Sequence, residues 1–224
     1  MHQIRLPDWA RARGAALNAF ASLEPQRTVL LVIDMQNAFI AEGEVYGNPH
    51  ARDIVPAINA LARALRDAGG RAIWTRQTYV AEGPFAPAPW QYDLSDPAVA
   101  AATAALTADA SGHGLYPAVE VAAADLVIDK HRYGAFSCPA RAVPEALARL
   151  APEMLVIAGT LTNVCCETTA REAYMAGYKV IVAADACAAV TDAEHNAALM
   201  NLRLNFADVK RAAEIVAMIS AASP

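Results

Sequence analysis

Apolar runs of strand length alternate with amphipathic segments along most of this chain. Continuous apolar runs cover Thr28–Ile33 and residues 154–158, a pattern typical of parallel strands that are buried on both faces. Shorter runs predict four further strands, at residues 71–76, 125–129, 179–183 and 207–209. The chain is therefore expected to contain about six strands.

Apolar residues spaced three and four positions apart predict helices between these strands. The helices are expected at residues 53–68, 96–108, 139–150, 192–205 and 211–220. One more should follow the strand at 154–158 at once, with Thr162 or Asn163 as N-cap and Gly177 ending it in a left-handed conformation. This alternation predicts an α/β fold of three layers, α/β/α, with a doubly wound, mostly parallel sheet. The expected strand order is 3-2-1-4-5-6.

Two segments stand apart from this alternation. Residues 1–27 contain no strand-like run, so they are predicted to form an N-terminal arm with a short helix, ahead of a single domain at residues 28–224. Trp9 and Phe20 of the arm are expected to pack either on the body or on a neighbouring subunit. Residues 77–97 form a loop rich in prolines and aromatics, which is typical of a pocket wall or lid, or else of a shield over the core or an oligomer contact.

Composition narrows the class of protein. Hydrophobic residues make up 56% of the 224 residues and charged residues 18%, which is a globular balance. The net charge of −5 leaves no basic stripe, so neither nucleic acid nor a membrane surface is an expected partner. Four cysteines do not suffice for a secreted disulfide scaffold, and no apolar stretch is long enough to span a bilayer. A cytoplasmic protein acting on a small molecule is expected.

Three reactive side chains lie at or just beyond the ends of different predicted strands. Asp34 ends the first strand, Lys130 follows the third, and Cys165 begins the helix after the fourth. Each has an ordinary alternative, namely a turn cap, a surface lysine and a small buried hydrophobe. Because ligands bind at the carboxyl ends of parallel strands, however, the three side chains are expected to share one site.

Together these residues predict covalent catalysis at Cys165. A thiolate is stabilised at a helix N-terminus, and Lys130, kept cationic, would lower the pKa of Cys165 further. Asp34 would act first as general base and then as general acid, while backbone N–H groups of residues 159–165 would stabilise the oxyanion. The product of the first stage is a thioester that water resolves. Cys166 points about 100° away from Cys165 on a helix, so the two thiols are not expected to share a role.

Three segments carry a resemblance to a known family. LLVIDMQNAF at residues 30–39, KHRYGAF at 130–136 and GTLTNVCCETTAREAYMAGY at 159–178 resemble the signature blocks of the isochorismatase-like cysteine hydrolases. The resemblance covers roughly residues 28–210 and implies that Asp34, Lys130 and Cys165 are the catalytic residues. It also implies a non-proline cis peptide at Thr160–Leu161, an oxyanion hole made by the N–H groups of Leu161 and Cys165, and a homo-oligomer, either dimer or tetramer.

Departures from the family pattern bear on the substrate. Metal-dependent nicotinamidases carry an Asp-x-His pair after the second strand, whereas this chain has WTRQTYVAEG there and no histidine between His50 and His113. The five histidines show no ligand spacing, which predicts no metal and no other cofactor. Gly134 replaces the family's usual serine, which is expected to loosen the wall beside Lys130.

The sequence thus predicts a metal-independent cysteine hydrolase that cleaves the C–N bond of a small amide, ureido or carbamoyl compound. TNVCCE and DAEHNA are similar to the corresponding segments of that branch of the family. The alternatives are an isochorismatase-type vinyl-ether hydrolase, in which Asp34 protonates the substrate, and a non-catalytic binding module. Six residues are predicted to bind the substrate: Phe39, Arg76, Gln77, Tyr79, Tyr133 and Phe136.

Overall fold

The computed structural model describes residues 1–222; residues 223 and 224, the end of the predicted domain, lie outside the described part. Its sheet has six parallel strands in the order β3-β2-β1-β4-β5-β6, which confirms the predicted topology. The strands are β1 (Thr28–Ile33), β2 (Arg71–Gln77), β3 (Leu126–Lys130), β4 (Met154–Thr160), β5 (Lys179–Ala188) and β6 (Asp208–Lys210).

Helices connect the strands and cover both faces of the sheet. In the described chain they are α1 (Asp8–Ala15), α2 (Asn37–Ile40), α3 (Pro49–Asp53), α4 (Val55–Asp67), α5 (Pro97–Ala104), α6 (Ala142–Leu150), α7 (Glu167–Met175), α8 (Asp192–Asn205) and α9 (Ala212–Ala222). Single 3₁₀ turns occur at Pro25–Arg27 and Ser111–His113, and a π-helical turn occurs at Thr162–Cys166. Helix α7 is followed by Gly177 at φ +94°, the left-handed residue predicted to end it.

The core has two layers, one on each side of the sheet. Every residue of β1 is buried, and successive side chains of the strand face opposite layers. Leu30 packs in the layer that contains Ile58 of α4, whereas Leu31 packs in the layer that contains Val143 of α6 and Leu199 of α8. This arrangement confirms the three-layer α/β/α architecture and explains why β1 has a continuous apolar sequence.

Some predicted boundaries were wrong for local reasons. Strand β5 continues past Asp185 to Ala188, because the Asp185 carboxylate accepts a hydrogen bond from the N–H of Ala212 (2.6 Å) and caps α9 instead of ending the strand. The predicted helix at 53–68 is two helices, α3 and α4, which meet at Ile54. The helix predicted at 96–108 ends earlier, at Ala104, and starts where Asp96 accepts a hydrogen bond from Ala98 N–H.

The N-terminal arm contains the predicted short helix, α1, which packs against α8 of the same chain. Arg203 of α8 fixes it there by donating to the carbonyl oxygens of Asn18 (2.7 Å) and Arg11 (3.1 Å). Phe20 is half-buried against the core, whereas Trp9 is exposed. Within the described residues, none of the helices has both the length and the apolar character that crossing a membrane requires.

Candidate active site

Asp34, Lys130 and Cys165 lie together at the carboxyl edge of the sheet. Asp34 follows β1, Lys130 is the last residue of β3, and Cys165 lies just beyond β4. The Asp34 carboxylate is 2.8 Å from the Lys130 ammonium, and the Cys165 thiol is close enough to interact with both groups. All three are buried, with Asp34 and Lys130 at 0% exposure and Cys165 at 6%.

The Asp34 side chain is held by its neighbour in β2. Thr75 Oγ1 donates to Asp34 Oδ1 (2.7 Å), and the Asp34 N–H donates back to the same hydroxyl (3.3 Å). The Asp34 backbone has φ +49°, a left-handed conformation that aspartate tolerates better than most residues. These contacts leave Oδ2 facing Lys130, and Oδ2 has no hydrogen bond of normal geometry elsewhere in the described chain.

Lys130 is held in its charged form. Its Nζ donates to Gln77 Oε1 (2.7 Å) and to the Arg132 carbonyl (3.0 Å), in addition to its ion pair with Asp34. Burial alone opposes the charge, but the neighbouring Asp34 carboxylate and Cys165 outweigh burial, so the pKa of Lys130 is raised. The lysine that the sequence alone could place on the surface is therefore a fully buried cation.

The buried side-chain amide of Gln36 positions Gln77, which itself contacts Lys130. Gln36, two residues after Asp34, accepts a hydrogen bond from the Gln77 N–H (2.6 Å) and donates to the Gln77 carbonyl (3.1 Å). Its amide also donates to the His113 carbonyl (3.0 Å). The ends of β1 and β2 are thereby tied together, and the Gln77 side chain is aimed at Lys130.

Cys165 lies in the π-helical turn Thr162–Cys166, not in the first turn of an α-helix as the sequence predicted. The Leu161 carbonyl accepts hydrogen bonds from the N–H groups of Val164 (3.1 Å) and Cys166 (3.1 Å). The peptide bond between Thr160 and Leu161 is cis, as the family resemblance implied. Participation of the Leu161 and Cys165 N–H groups in an oxyanion hole remains a prediction.

The thiol of Cys165 is protonated in the resting site. Burial raises its pKa to about 12; Lys130 acts in the opposite direction, and Asp34 raises it further. Lys130 lowers the pKa of Cys165 as expected, but burial and the nearby carboxylate outweigh the cation, so the net shift is upward and not downward. Any nucleophilic attack by Cys165 requires a base that removes its proton, and Asp34 is adjacent.

Close approach of two strands brings the Cys165 turn beside Asp34. Gly159 of β4 has φ +117°, and a Cβ placed on it would lie 2.1 Å from the carbonyl oxygen of Ile33. Ile33, the residue before Asp34, therefore lies against the backbone of Gly159, which precedes the cis peptide bond. The pairing of β4 with β5 shifts register between Ile157 and Gly159, which marks the same irregularity.

Cys166 packs inward, beside the thiol of Cys187. It has no exposed surface and belongs to the hydrophobic core. Burial raises the pKa of Cys166 well above its usual value, and the neighbouring Cys187 thiol contributes to the shift. Cys165 belongs to the same core layer but interacts with Lys130 and Asp34. Cys166 interacts instead with the thiol of Cys187.

The wall beside Lys130 is closed, contrary to the expectation from Gly134. A Cβ at Gly134 would lie 2.2 Å from the carboxylate oxygens of Glu172, which occupy that space. Glu172 accepts a hydrogen bond from the Phe136 N–H (2.9 Å) and so holds the loop after β3 against α7. Glycine at this position makes room for a carboxylate and does not loosen the wall.

A cavity of about 90 Å³ that opens to solvent lies next to these residues, and Gln77 is part of its lining. Of the predicted substrate-binding residues, Gln77, Tyr79 and Tyr133 line it, and Gln77 links it to Lys130. The proline-rich loop forms one wall. Burial and a hydrogen bond with Tyr133 raise the pKa of Tyr92, so this phenol stays protonated. The other lining residues are Tyr46, Thr78, Phe85, Pro87, Gln91, Tyr92, Thr103, Leu106, His131 and Arg132.

Phe39, Arg76 and Phe136 are not among the residues that line this cavity. Phe39 is in the core, although its ring stacks on that of Tyr46 at 5.3 Å. Arg76 Nε donates to Asp129 Oδ1 (2.7 Å), and the ring of Phe136 packs near Tyr178. Their predicted contact with substrate remains a prediction.

Residues that the sequence did not single out also shape the site. Thr75 holds Asp34, and Tyr46 and Arg132 line the cavity. Alternation along β2 places Thr75 and Gln77 on one face, so a search for polar residues on that strand would have found Thr75. Elsewhere in the described chain, His2, His50 and Asp192 lie close together, but His2 uses both of its ring nitrogens in hydrogen bonds.

Comparison with known proteins defines the family. The isochorismatase domain family matches residues 28–214. The chain belongs to this family. Over 202 residues it is 32% identical to ureidoacrylate amidohydrolase RutB from Methylobacterium radiotolerans, an alignment that spans 83% of this chain and 76% of that protein. The match to Nicotinamidase 3 from Arabidopsis thaliana is 38% identical over 88 residues, but it spans only 39% of this chain and 43% of that protein.

Solved structures share the fold. A cysteine hydrolase from Pseudomonas syringae pv. phaseolicola 1448A superposes with a TM-score of 0.78 at 26% identity, covering 91% of this chain and 99% of that one. The predicted family and fold class are thereby confirmed, and this isochorismatase-family protein is a hydrolase.

Proposed function

We propose that this isochorismatase-family hydrolase cleaves the C–N bond of a small linear amide, ureido or carbamoyl compound through a thioester on Cys165. The proposal rests chiefly on one observation, the buried Asp34–Lys130 ion pair beside a protonated Cys165 thiol. Such a pair supplies a base for the thiol and a cation that fixes the base in place. The similarity to ureidoacrylate amidohydrolases supports the choice of a C–N bond.

In the first half of the proposed reaction, Cys165 Sγ attacks the carbonyl carbon of the substrate, and Asp34 takes the thiol proton. A tetrahedral intermediate forms, and the N–H groups of Leu161 and Cys165 are proposed to stabilise its oxyanion. The C–N bond then breaks. The departing nitrogen receives the proton from Asp34 and leaves as ammonia or an amine, and a thioester remains on Cys165.

In the second half, water attacks the thioester carbonyl and Asp34 takes a proton from that water. The C–S bond breaks, and the proton returns to the Cys165 sulfur as the acid or carbamate product leaves. Lys130 keeps its charge throughout, because its pKa is raised in the site. No step uses a metal ion, since the nucleophile, the base and the proposed oxyanion donors all belong to the chain.

The test is ammonia release from a panel of small amides: biuret, ureidoacrylate, N-carbamoyl amino acids, nicotinamide and simple aliphatic amides. We expect release that resists chelators and is lost in Cys165→Ala. Cys138→Ser is the matched control, because Cys138 is also buried and free, and among the described residues its thiol accepts the His131 N–H (3.2 Å). Mass spectrometry should also detect an acyl adduct on Cys165 during turnover.

Two results would overturn the proposal. Amide hydrolysis that persists in Cys165→Ala would remove the thioester route. Failure on every amide, combined with Cys165-independent cleavage of a vinyl ether, would favour the isochorismatase-type reaction instead.

A further inference from the structure

The cavity beside the reactive residues has a positively charged lining. Arg132 lines it, and none of the described residues that line it is an aspartate or a glutamate. At the reactive end, the charge of Asp34 is balanced by Lys130 at 2.8 Å. A compound that enters the cavity therefore meets a guanidinium that has no carboxylate partner in the described chain.

The hydrogen bonds of Arg132 leave part of its guanidinium available. Nη1 donates to the carbonyl oxygens of Phe85 (2.9 Å) and His131 (2.7 Å), and Nη2 donates to the carbonyl oxygen of Ala86 (3.1 Å). Because a guanidinium has five N–H groups, Nε and Nη2 each keep one N–H without a partner among the described residues. Two N–H groups on neighbouring nitrogens are what arginine uses to bind both oxygens of a carboxylate.

The same hydrogen bonds hold the guanidinium in place. Phe85 and Ala86 belong to the proline-rich loop, and the ring of Phe85 stacks on that of His131 at 4.9 Å. The Arg132 carbonyl oxygen also accepts a hydrogen bond from Lys130 Nζ (3.0 Å). An arginine that is already fixed loses less conformational entropy when it binds a ligand, so this side chain is preorganised for binding.

The cavity reaches from this arginine to the reactive residues. Gln77, which accepts a hydrogen bond from Lys130 (2.7 Å), lines the cavity. Tyr92 also lines it, and its phenol is close enough to Cys165 for the two groups to interact. A molecule with its carbonyl carbon at Cys165 can therefore extend past Tyr92 towards Arg132.

We propose that Arg132 binds a carboxylate of the substrate, so that the enzyme acts on ureido or carbamoyl acids in preference to uncharged amides. This inference rests on the proposed hydrolysis at Cys165 and narrows its substrate class. The scissile C–N bond lies beside Cys165, and the carboxylate lies at the Arg132 end of the same molecule. Biuret, nicotinamide and simple aliphatic amides have no carboxylate and should be poorer substrates.

Binding is measured first, by calorimetry in a Cys165→Ala background, where the proposed reaction cannot proceed. The probes are N-carbamoylglycine and N-carbamoyl-β-alanine, each paired with its uncharged N-methylamide. Hydrogen bonds to charged groups change a dissociation constant by roughly 10- to 150-fold. We therefore expect at least one acid to bind about tenfold or more tightly than its N-methylamide, and Arg132→Gln to remove that difference.

Arg149→Gln is the matched control and should keep the preference for the acid, because Arg149 is an exposed residue of α6 outside the cavity lining. Arg132→Lys keeps a positive charge without the two neighbouring N–H groups, so it should keep part of the preference. Arg132→Gln that weakens binding of acid and N-methylamide alike would overturn the proposal, since the residue would then only hold the loop. If Arg132→Gln does not fold, the comparison of acid with N-methylamide in the Cys165→Ala protein decides alone.

Turnover of the same pairs by the parent protein separates this inference from the proposed hydrolysis. Tighter binding of the acid without ammonia release from any compound would support the carboxylate site and remove the hydrolysis. Ammonia release from acid and N-methylamide with equal kcat/KM would support the hydrolysis and overturn the carboxylate site. Equal affinity for every acid and its N-methylamide would also overturn the carboxylate site.

Discussion

At the scale of single residues, the candidate site depends on side chains that position the catalytic residues. Thr75 fixes the rotamer of Asp34, and Gln36 fixes Gln77, which in turn orients Lys130. The acid–base carboxylate therefore has one oxygen occupied by a hydroxyl and the other directed at the ammonium. Such preorganisation matters because small misplacements of a catalytic group are costly.

Thr75→Val tests this positioning. The substitution keeps the shape of the side chain but leaves Asp34 Oδ1 without its donor, so we expect a loss of about 1–3 kcal/mol in the free energy of unfolding. Misplacement of the carboxylate should also lower kcat by roughly 100-fold on the amide that the enzyme hydrolyses. Thr75→Ser restores the hydroxyl and should restore both quantities. A Val variant with unchanged kcat would show that the hydroxyl does not position Asp34.

The alkylation of Cys165 should have an unusual pH dependence. Because burial raises its pKa to about 12, the fraction of thiolate stays low at neutral pH and rises only in strong alkali. Iodoacetamide labelling, mapped by mass spectrometry, should therefore show no step near the ordinary thiol pKa. Asp34→Asn removes a group that raises the pKa of Cys165, so the alkaline rise in labelling should move to lower pH, although the variant also lacks the base that the catalytic attack uses. An alkaline rise at the same pH in both proteins would contradict this electrostatic account.

The sequence predicted the three reactive residues but not their partners. Asp34, Lys130 and Cys165 could be found because each is a reactive residue at the end of an apolar strand, and the family blocks agree. The pKa of Cys165 was predicted in the wrong direction, because the degree of burial depends on the packed structure. The contact of His2 with Asp192 was not predicted, since the two residues meet only after the arm has docked.

At the scale of elements, the loop after β3 and helix α7 fit together through one carboxylate. Glu172 occupies the space that a side chain at position 134 would need and accepts the N–H groups of Phe136 (2.9 Å) and Ser137 (3.4 Å). The loop that follows Lys130 is thus fastened to the helix that follows Cys165.

Gly134→Ser should displace Glu172. The new Cβ would lie 2.2 Å from the carboxylate, which can swing away only by giving up its bonds to the loop. We expect destabilisation of about 1–3 kcal/mol, measured by urea unfolding. Glu172→Ala should cost a similar amount, and the double variant little more, because both changes break the same contacts. If the double variant instead loses the sum of the two single losses in unfolding free energy, Gly134→Ser does not act by displacing Glu172.

Gly159→Ala should be much more damaging. The added Cβ would meet the backbone carbonyl of Ile33 at 2.1 Å, and backbone cannot move aside as a side chain can. We expect a loss of more than about 3 kcal/mol in unfolding free energy. Gly177→Ala is the control, because Gly177 also has a positive φ but a Cβ there meets nothing within 4 Å. A smaller loss of unfolding free energy in Gly177→Ala than in Gly159→Ala would separate the cost of the steric clash with Ile33 from the cost of backbone strain.

The sequence located the elements better than their ends. Apolar runs identified all six strands, and the fold class that they indicate gave the strand order. The π-helical turn at Thr162–Cys166 was not predicted, since its hydrogen bonding depends on the Leu161 carbonyl and on the backbone path after β4. The extension of β5 was missed because Asp185, an apparent strand end, has its partner in α9.

At the scale of the whole molecule, the N-terminal arm is joined to the far end of the chain. Arg203 is buried and bonds both to the arm carbonyls and to Asp208 of β6. Asp208 also accepts the N–H of Phe20 (3.0 Å). A sequence pattern cannot predict such contacts, because the partners are separated by more than 180 residues.

Arg203→Met should release the arm. The change leaves the buried Asp208 carboxylate without its guanidinium, and breaking a buried pair of this kind costs about 3–5 kcal/mol. Thermal unfolding should shift down, and trypsin should cut at Arg11 and Arg13 faster than in the parent. Lys210→Met is the control, since Lys210 pairs with the same carboxylate (3.1 Å) but is not bonded to the arm. Equal rates of tryptic cleavage in both variants would show that Arg203 does not hold the arm against the body.

The strand order sets a distance that the site must bridge. β2 lies between β1 and β3, so Asp34 and Lys130 start from backbones two strand spacings apart, about 10 Å. A short aspartate and a long, unbranched lysine together cover that gap, passing over Thr75 and Gln77 of the strand between. The spacing of the strands therefore requires a particular side-chain length, as well as a particular charge, at these two positions. A histidine at position 130 would carry a basic nitrogen yet end short of the carboxylate, with the gap left for water to fill.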